Sequence, residues 1–235
     1  MRIKFTYGPK TYYLEPYTTA QEKELILIQA YTDAVDVENL DDALRICKFE
    51  GDIRSLTLQE KILLLWKYRE ISISDKIEVK FHCPHCGSLC ENSINISNLY
   101  TPALEPSETV HDNMDETGEV NISDDADLDD YINASKDIDK HIGHYNFVKS
   151  CKCLKCKKDI NINLSDPKFV LDNMSDKSLQ GMYSQYNILV YFGHYTKLDI
   201  DSMYPFERDV LSGILEKTLK ELNKAKSSKG MPPLK

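Results

Sequence analysis

Apolar and polar positions change period several times along the chain, and the changes divide it into elements. Ile3 to Tyr7 and Tyr12 to Leu14 flank Gly8-Pro9, a turn pair, which predicts an N-terminal two-stranded hairpin. From Thr19 the period lengthens. Leu25, Ile26 and Ile28 begin an apolar face that reaches Tyr31, and Thr19 with Glu22 has capping-box spacing. A second helix is predicted from Glu38 to Cys47, with Leu40, Ala43, Leu44 and Cys47 on one side and Gly51-Asp52 ending it. The third opens on another capping box, Thr57 and Glu60, and carries Leu58, Ile62, Leu65 and Trp66. Lys61, Lys67, Arg69 and Glu70 form its expected wet face. Leu63 and Leu64 widen the apolar arc, so this helix is expected to pack on more than one side, within the domain or against a partner. Trp66, the only tryptophan, reads as its core anchor.

The period then drops to two around a pair of cysteine motifs. Ile77, Val79 and Phe81 alternate before Cys83-Pro84-His85-Cys86-Gly87, and Ile94 and Ile96 alternate after it. Phe147 precedes Cys153-Leu154-Lys155-Cys156-Lys157, and Ile160, Ile162 and Leu164 alternate after it. Each motif is therefore predicted at a hairpin tip. Two further helices follow. The first carries Leu179, Met182, Tyr183, Tyr186, Leu189 and Val190, with Gly193 as its stop. The second starts at Pro205 and carries Phe206, Val210, Leu211, Ile214, Leu215, Thr218 and Leu222. Leu211 and Leu215 are expected on a face open to partners.

Two CxxC pairs with 66 residues between them supply four sulfurs, the set that tetrahedral zinc prefers in a closed structural site. Cys83, Cys86, Cys153 and Cys156 are the expected ligands of one structural zinc per chain. Four thiolates around one zinc leave a net charge of −2, and Lys152, Lys155, Lys157 and Lys158 crowd the second pair. A thioredoxin-like redox site would place its CxxC at the start of a helix, whereas β-type alternation follows both pairs here. Cys90, Cys151, His82 and His85 lie close enough in sequence to substitute as ligands. The plainer reading for all four is that they are not ligands, because the two side chains between paired cysteines point outward and four thiolates already complete a closed site. Cys47 reads as a small buried apolar residue on its helix.

These elements give an α+β fold: a helical domain, a split zinc-ribbon β module of two knuckle hairpins, and a small N-terminal hairpin. The expected divisions are 1–75 for the hairpin and helices, 76–100 with 144–166 for the ribbon, and 101–143 for an acidic flexible insertion. The segment 167–225 supplies C-terminal helices packing on the N-terminal part, and 226–235 a disordered tail. Within the insertion, Asp125, Asp127 and Asp129 have the spacing of a calcium loop, but the glycine and distal glutamate of an EF-hand are missing at their offsets.

Composition adjusts this picture in three ways. The apolar fraction of 41% over 235 residues suffices for a real core, and no run approaches the ~18 apolar residues of a membrane span. The N-terminus MRIKFTYGPK lacks the apolar stretch of a signal peptide, so the cytoplasm of the producing cell is the expected compartment, where thiols stay available to metal. The net charge of −9 is local: residues 101–140 hold 13 acidic residues against Lys136 and Lys140, a net of −11, which leaves +2 for the rest. No broad basic surface for nucleic acid is expected, which counts against the alternative of a zinc-ribbon nucleic-acid-binding or transcription-associated protein. No nucleophile stands beside His194, and no phosphate loop is present. Four thiolates leave zinc no open position, so neither catalysis nor a small-molecule substrate is expected.

The order of parts also resembles a known family. Leu64-Leu65-Trp66-Lys67-Tyr68-Arg69 runs into Lys80-Phe81-His82-Cys83-Pro84-His85-Cys86-Gly87, then Tyr191-Phe192-Gly193-His194-Tyr195 and Met203-Tyr204-Pro205-Phe206-Glu207-Arg208 follow. This resembles the baseplate hub and hub-assembly proteins of T-even-type tailed bacteriophages, over roughly residues 55 to 97 and 145 to 222. The resemblance implies a non-enzymatic structural or assembly role, with other phage baseplate hub or tail proteins as partners. It implies location in the host cytoplasm during assembly or in the virion tail baseplate. Only the knuckle residues Cys83, Cys86, Cys153 and Cys156 carry over from it as functional positions.

Overall fold

A computed structural model describes residues 2–7, 10–31, 37–101 and 144–227. The N-terminal hairpin pairs β1 (Ile3–Tyr7) with β2 (Lys10–Leu14), as the alternation predicts; its turn lies outside the described residues. Three helices follow: α1 (Thr19–Tyr31), α2 (Val37–Ile46) and α3 (Leu58–Ser72). The knuckle hairpins are β3 (Lys76–His82) with β4 (Leu89–Asn95), and β7 (Val148–Lys152) with β8 (Asp159–Asn163). Between them β5 (Tyr100–Thr101) pairs with β6 (His144–Tyr145). Helices α4 (Pro167–Asp172), α5 (Leu179–Gly193), α6 (Lys197–Ser202) and α7 (Pro205–Ser227) complete the described chain. Among the described residues the result is mixed helix and four small antiparallel two-stranded sheets. The expected insertion, apart from Thr101 of β5, and the expected tail beyond Ser227 lie outside the described residues.

Helix α3 is the centre. Thr57 and Glu60 form the predicted reciprocal cap, and Ile62, Leu63, Leu64, Leu65, Trp66 and Tyr68 are all buried. The Trp66 Nε1–H donates to the Leu164 carbonyl at 2.9 Å, so the last strand of the second knuckle hairpin is tied to α3. One apolar cluster runs through Leu14, Leu44, Trp66, Ile77, Ile94, Leu164 and Val170. The expected wet face needs correction, because Lys61 and Arg69 are buried. Lys61 Nζ lies 2.6 Å from Asp41. The Arg69 guanidinium donates to the carbonyls of Asn173 and Ser74, both at 2.6 Å, and pairs with Asp176. A charged side chain enters a core only where such partners replace water.

The first helix cap also shifts. Thr18, not Thr19, caps α1, since its N–H donates to Gln21 Oε1 at 2.8 Å and its hydroxyl accepts from the Gln21 N–H at 3.4 Å. Thr19 instead donates from both N–H and hydroxyl to the Met203 carbonyl. Glu22 is thereby free to pair with Arg208 of α7, 2.5 Å away in the interior. At the end of α2, Lys48 takes the left-handed conformation before Gly51 is reached. At the end of α5 the left-handed residue is His194, not Gly193. Gly193 is needed for space: a Cβ there would lie 2.9 Å from Leu215 of α7 and 2.8 Å from the Tyr195 ring. A second cluster, Ile26, Met182, Tyr186, Leu189 and Ile200, takes Leu211 and Leu215 against it. The face of α7 expected to be open at Leu211 and Leu215 is thus turned inward, and Phe206, Val210, Ile214 and Leu222 are its exposed large apolar positions.

Candidate metal centre

Each knuckle is built by the same backbone path. In the first, the Cys83 N–H donates to the Ser88 carbonyl and the Gly87 N–H donates back to the Cys83 carbonyl, both at 2.8 Å. In the second, the Cys153 N–H donates to the Lys158 carbonyl at 3.0 Å and the Lys157 N–H to the Cys153 carbonyl at 2.9 Å. The two turns repeat with an offset of 70 residues. Gly87 and Lys157, at matching positions, have φ of 67° and 61°. A tight turn of this kind aims both thiols of a CxxC at one point beyond the strands.

The two points coincide. The Sγ atoms of Cys83, Cys86, Cys153 and Cys156 all lie within 4.8 Å of one another. Across the hairpins, Cys83 to Cys156 and Cys86 to Cys153 are both 3.7 Å. A tetrahedron with metal–sulfur bonds of about 2.3 Å has edges of about 3.8 Å, so the donor set and spacing fit one tetrahedral ion. The four cysteines could therefore bind a metal ion, with the calcium-type aspartates lying outside the described residues.

Donors around Cys153 and Cys86 favour thiolate at those two sulfurs, whereas at Cys156 the Lys158 backbone N–H is outweighed by burial and the neighbouring thiols, which push it up to about 11. The Cys156 N–H donates to Cys153 Sγ at 3.5 Å. The Ser88 hydroxyl lies 3.0 Å from Cys86 Sγ and 3.5 Å from Cys153 Sγ. Donation from the Cys156 backbone and from Ser88 holds the Cys153 thiol down to about 5, and Ser88 lowers Cys86 as well. Ser88 is the residue that sequence reasoning missed. Its signal is a hydroxyl two places after a metal-spaced cysteine, where a bridging donor can reach both hairpins.

The remaining candidates lie outside the set of four mutually close sulfurs, although Cys90 packs against Cys83 and Cys153. Cys90 pairs across the strands with Phe81, and Cys151 with Ile160, so these thiols form the layer beneath the knuckles. Burial pushes Cys90 up to about 11 and also raises Cys151 and Cys47, keeping all three as thiols. His82 and His85 are exposed, and His82 Nδ1 lies 3.2 Å from the Gly87 carbonyl. Pro84, Leu154 and Lys155 also point outward.

Against known proteins, residues 1–151 match the family model described as T4 bacteriophage base plate protein. The match takes in β1 through β6 and most of β7, includes the first knuckle, and ends two residues before Cys153. No curated protein and no solved structure matches the chain.

Proposed function

The chain belongs to the T4 bacteriophage base plate protein family, and from that premise we propose that it is a non-enzymatic hub protein of the tail baseplate whose two knuckle hairpins form a zinc ribbon. The family match across residues 1–151 carries the baseplate role, with other phage structural proteins as its partners and the virion tail as its place. Among the described residues no helix is long and apolar enough to cross a membrane. The hub position within the baseplate, passage through the host cytoplasm during assembly, and the division into ribbon and helical parts belong to this proposal.

The zinc reading rests on four sulfurs at tetrahedral spacing contributed by two hairpins. Cys83, Cys86, Cys153 and Cys156 would complete the coordination shell. Such a site fixes two hairpins to each other and leaves no position for substrate water. Contacts with neighbouring tail proteins are then made by side chains the fold leaves uncovered. Tyr191, Leu198, Val210 and Ile214 on α5, α6 and α7 are large, apolar and exposed.

Metal analysis of the purified chain tests the centre, and recovery with baseplates tests the role. One zinc per chain is expected, lost in Cys83→Ser together with a large drop in melting temperature. A Cys83→Ser protein with full zinc occupancy and an unchanged melt would overturn the ligand set. In infected cells the tagged chain is expected to co-purify with baseplate proteins at moderate salt, and its absence from them would overturn the role.

A further inference from the structure

The second knuckle presents a charged surface that the metal centre does not use. Lys152, Lys155, Lys157 and Lys158 are all exposed there, surrounding Leu154, which is 75% exposed. Offsetting the charge of four thiolates would be the simplest role for such lysines. The hydrogen bonds go elsewhere, since the sulfurs are served by the Cys156 backbone and the Ser88 hydroxyl. None of the four lysines forms an ion pair among the described residues. At the offset of 70 the matching positions of the first knuckle are His82, His85, Gly87 and Ser88, none of them a lysine or arginine. Lys157 is held at φ 61°, against the preference of an L side chain, where the first knuckle uses glycine.

We propose that this tip is a docking surface for an acidic protein segment, whose carboxylates meet the four lysines while an apolar side chain covers Leu154. The partner class rests on the reading of the chain as a baseplate structural protein; the surface itself rests on the knuckle geometry. The strands and the turn hydrogen bonds already fix the backbone under all five side chains, so docking orders side chains alone. Protein is favoured over nucleic acid by what surrounds the charges. The second knuckle contains no arginine to grip phosphate bidentately and no aromatic ring to stack a base, and an exposed leucine gives phosphate nothing.

The test uses the zinc-loaded full chain and three fluorescent probes: a peptide of four Glu-Glu-Leu repeats, one of four Glu-Glu-Ser repeats, and a 20-base-pair DNA duplex. The leucine peptide is expected to bind more tightly than the serine peptide. Replacing all four lysines by glutamine is expected to weaken it at least tenfold, with zinc content and melt retained. Leu154→Ser is expected to remove the preference for leucine over serine. If the fourfold variant does not fold, Lys155→Glu with Lys158→Glu makes the same measurement. Unchanged peptide binding in the variant, no difference between the peptides, or tighter binding to the duplex than to either peptide overturns the proposal. Recovery in baseplates separates the two readings. Wild-type chain missing from baseplates refutes the structural role alone, whereas undiminished incorporation of the lysine variant refutes this surface alone.

Discussion

Replacing Arg208 by alanine tests whether a buried ion pair fixes the last helix to the body. Arg208 is 0% exposed and Glu22 1% exposed, with Nη1 and Oε2 2.5 Å apart. The other Glu22 oxygen accepts from the Ser175 hydroxyl at 2.6 Å, and Arg208 also donates to Asp209 at 3.0 and 3.3 Å. Removing the guanidinium leaves a buried carboxylate with one hydroxyl donor, and breaking a buried pair from one side costs ~3–5 kcal/mol. Against a typical stability of ~5–15 kcal/mol, that is about a fifth of the total or more. At ~2–4 °C per kcal/mol for a chain of this size, the melting temperature should fall by ~6–20 °C. Glu22→Gln should cost less, ~1–3 kcal/mol, because the amide still accepts and Arg208 keeps Asp209. The double variant Glu22→Leu with Arg208→Met should recover most of the loss, since both desolvation penalties disappear together. Trp66, buried and alone of its kind, reports unfolding by fluorescence; zinc should be saturating throughout so that metal linkage does not vary. An Arg208→Ala chain melting within ~2 °C of the parent would refute the reasoning, as would a double variant no more stable than Arg208→Ala.

Three further outcomes follow from the geometry. Gly87→Ala should destabilise by ~1–2 kcal/mol, since no atom would crowd the new Cβ and only the positive φ opposes it, while Lys157→Gly should stabilise by up to ~1 kcal/mol; urea midpoints decide both. Burial opposes ionisation of Glu60, but Lys10 and Thr57 outweigh it and hold its carboxyl below the ordinary value of 4.5. Its stabilising contribution is therefore full above that value and lost as pH falls through the lower folded one, and Glu60→Gln should flatten this acid limb in melts taken from pH 6 down to pH 2. Because Thr101 pairs directly with His144, replacing residues 102–143 by Asn-Gly should leave zinc content and a single cooperative melt intact; loss of either would show that the segment supports the ribbon.

What could be read from the sequence was local. The hairpins, the Thr57 cap and the turn of each knuckle depend on residues a few positions apart, and period and spacing record such relations directly. The errors came from distant partners. Thr18 with Gln21 and Thr19 with Glu22 have the same spacing, and only Arg208, 186 residues beyond Glu22, decides between them. Lys61 and Arg69 looked solvated because Asp41, Asn173 and Asp176, which replace their water, belong to other elements. Leu211 and Leu215 could not be told from Val210 and Ile214 until α5 was placed beside them. The four sulfurs were legible as a set, but Ser88 emerged only when the second hairpin came within its reach.

The offset of 70 residues between the knuckles also sets a clock. At ~5–20 residues per second of synthesis, Cys83 and Cys86 emerge ~4–14 s before Cys153 and Cys156. Throughout that interval the first hairpin offers two sulfurs, half of a tetrahedral shell. Trp66 meanwhile waits for the Leu164 carbonyl, which arrives later still. The helices made first therefore stay open until the second hairpin leaves the ribosome with its two thiols and the missing hydrogen bond, and α1 and α3 still wait after that for Asn173, Asp176 and Arg208.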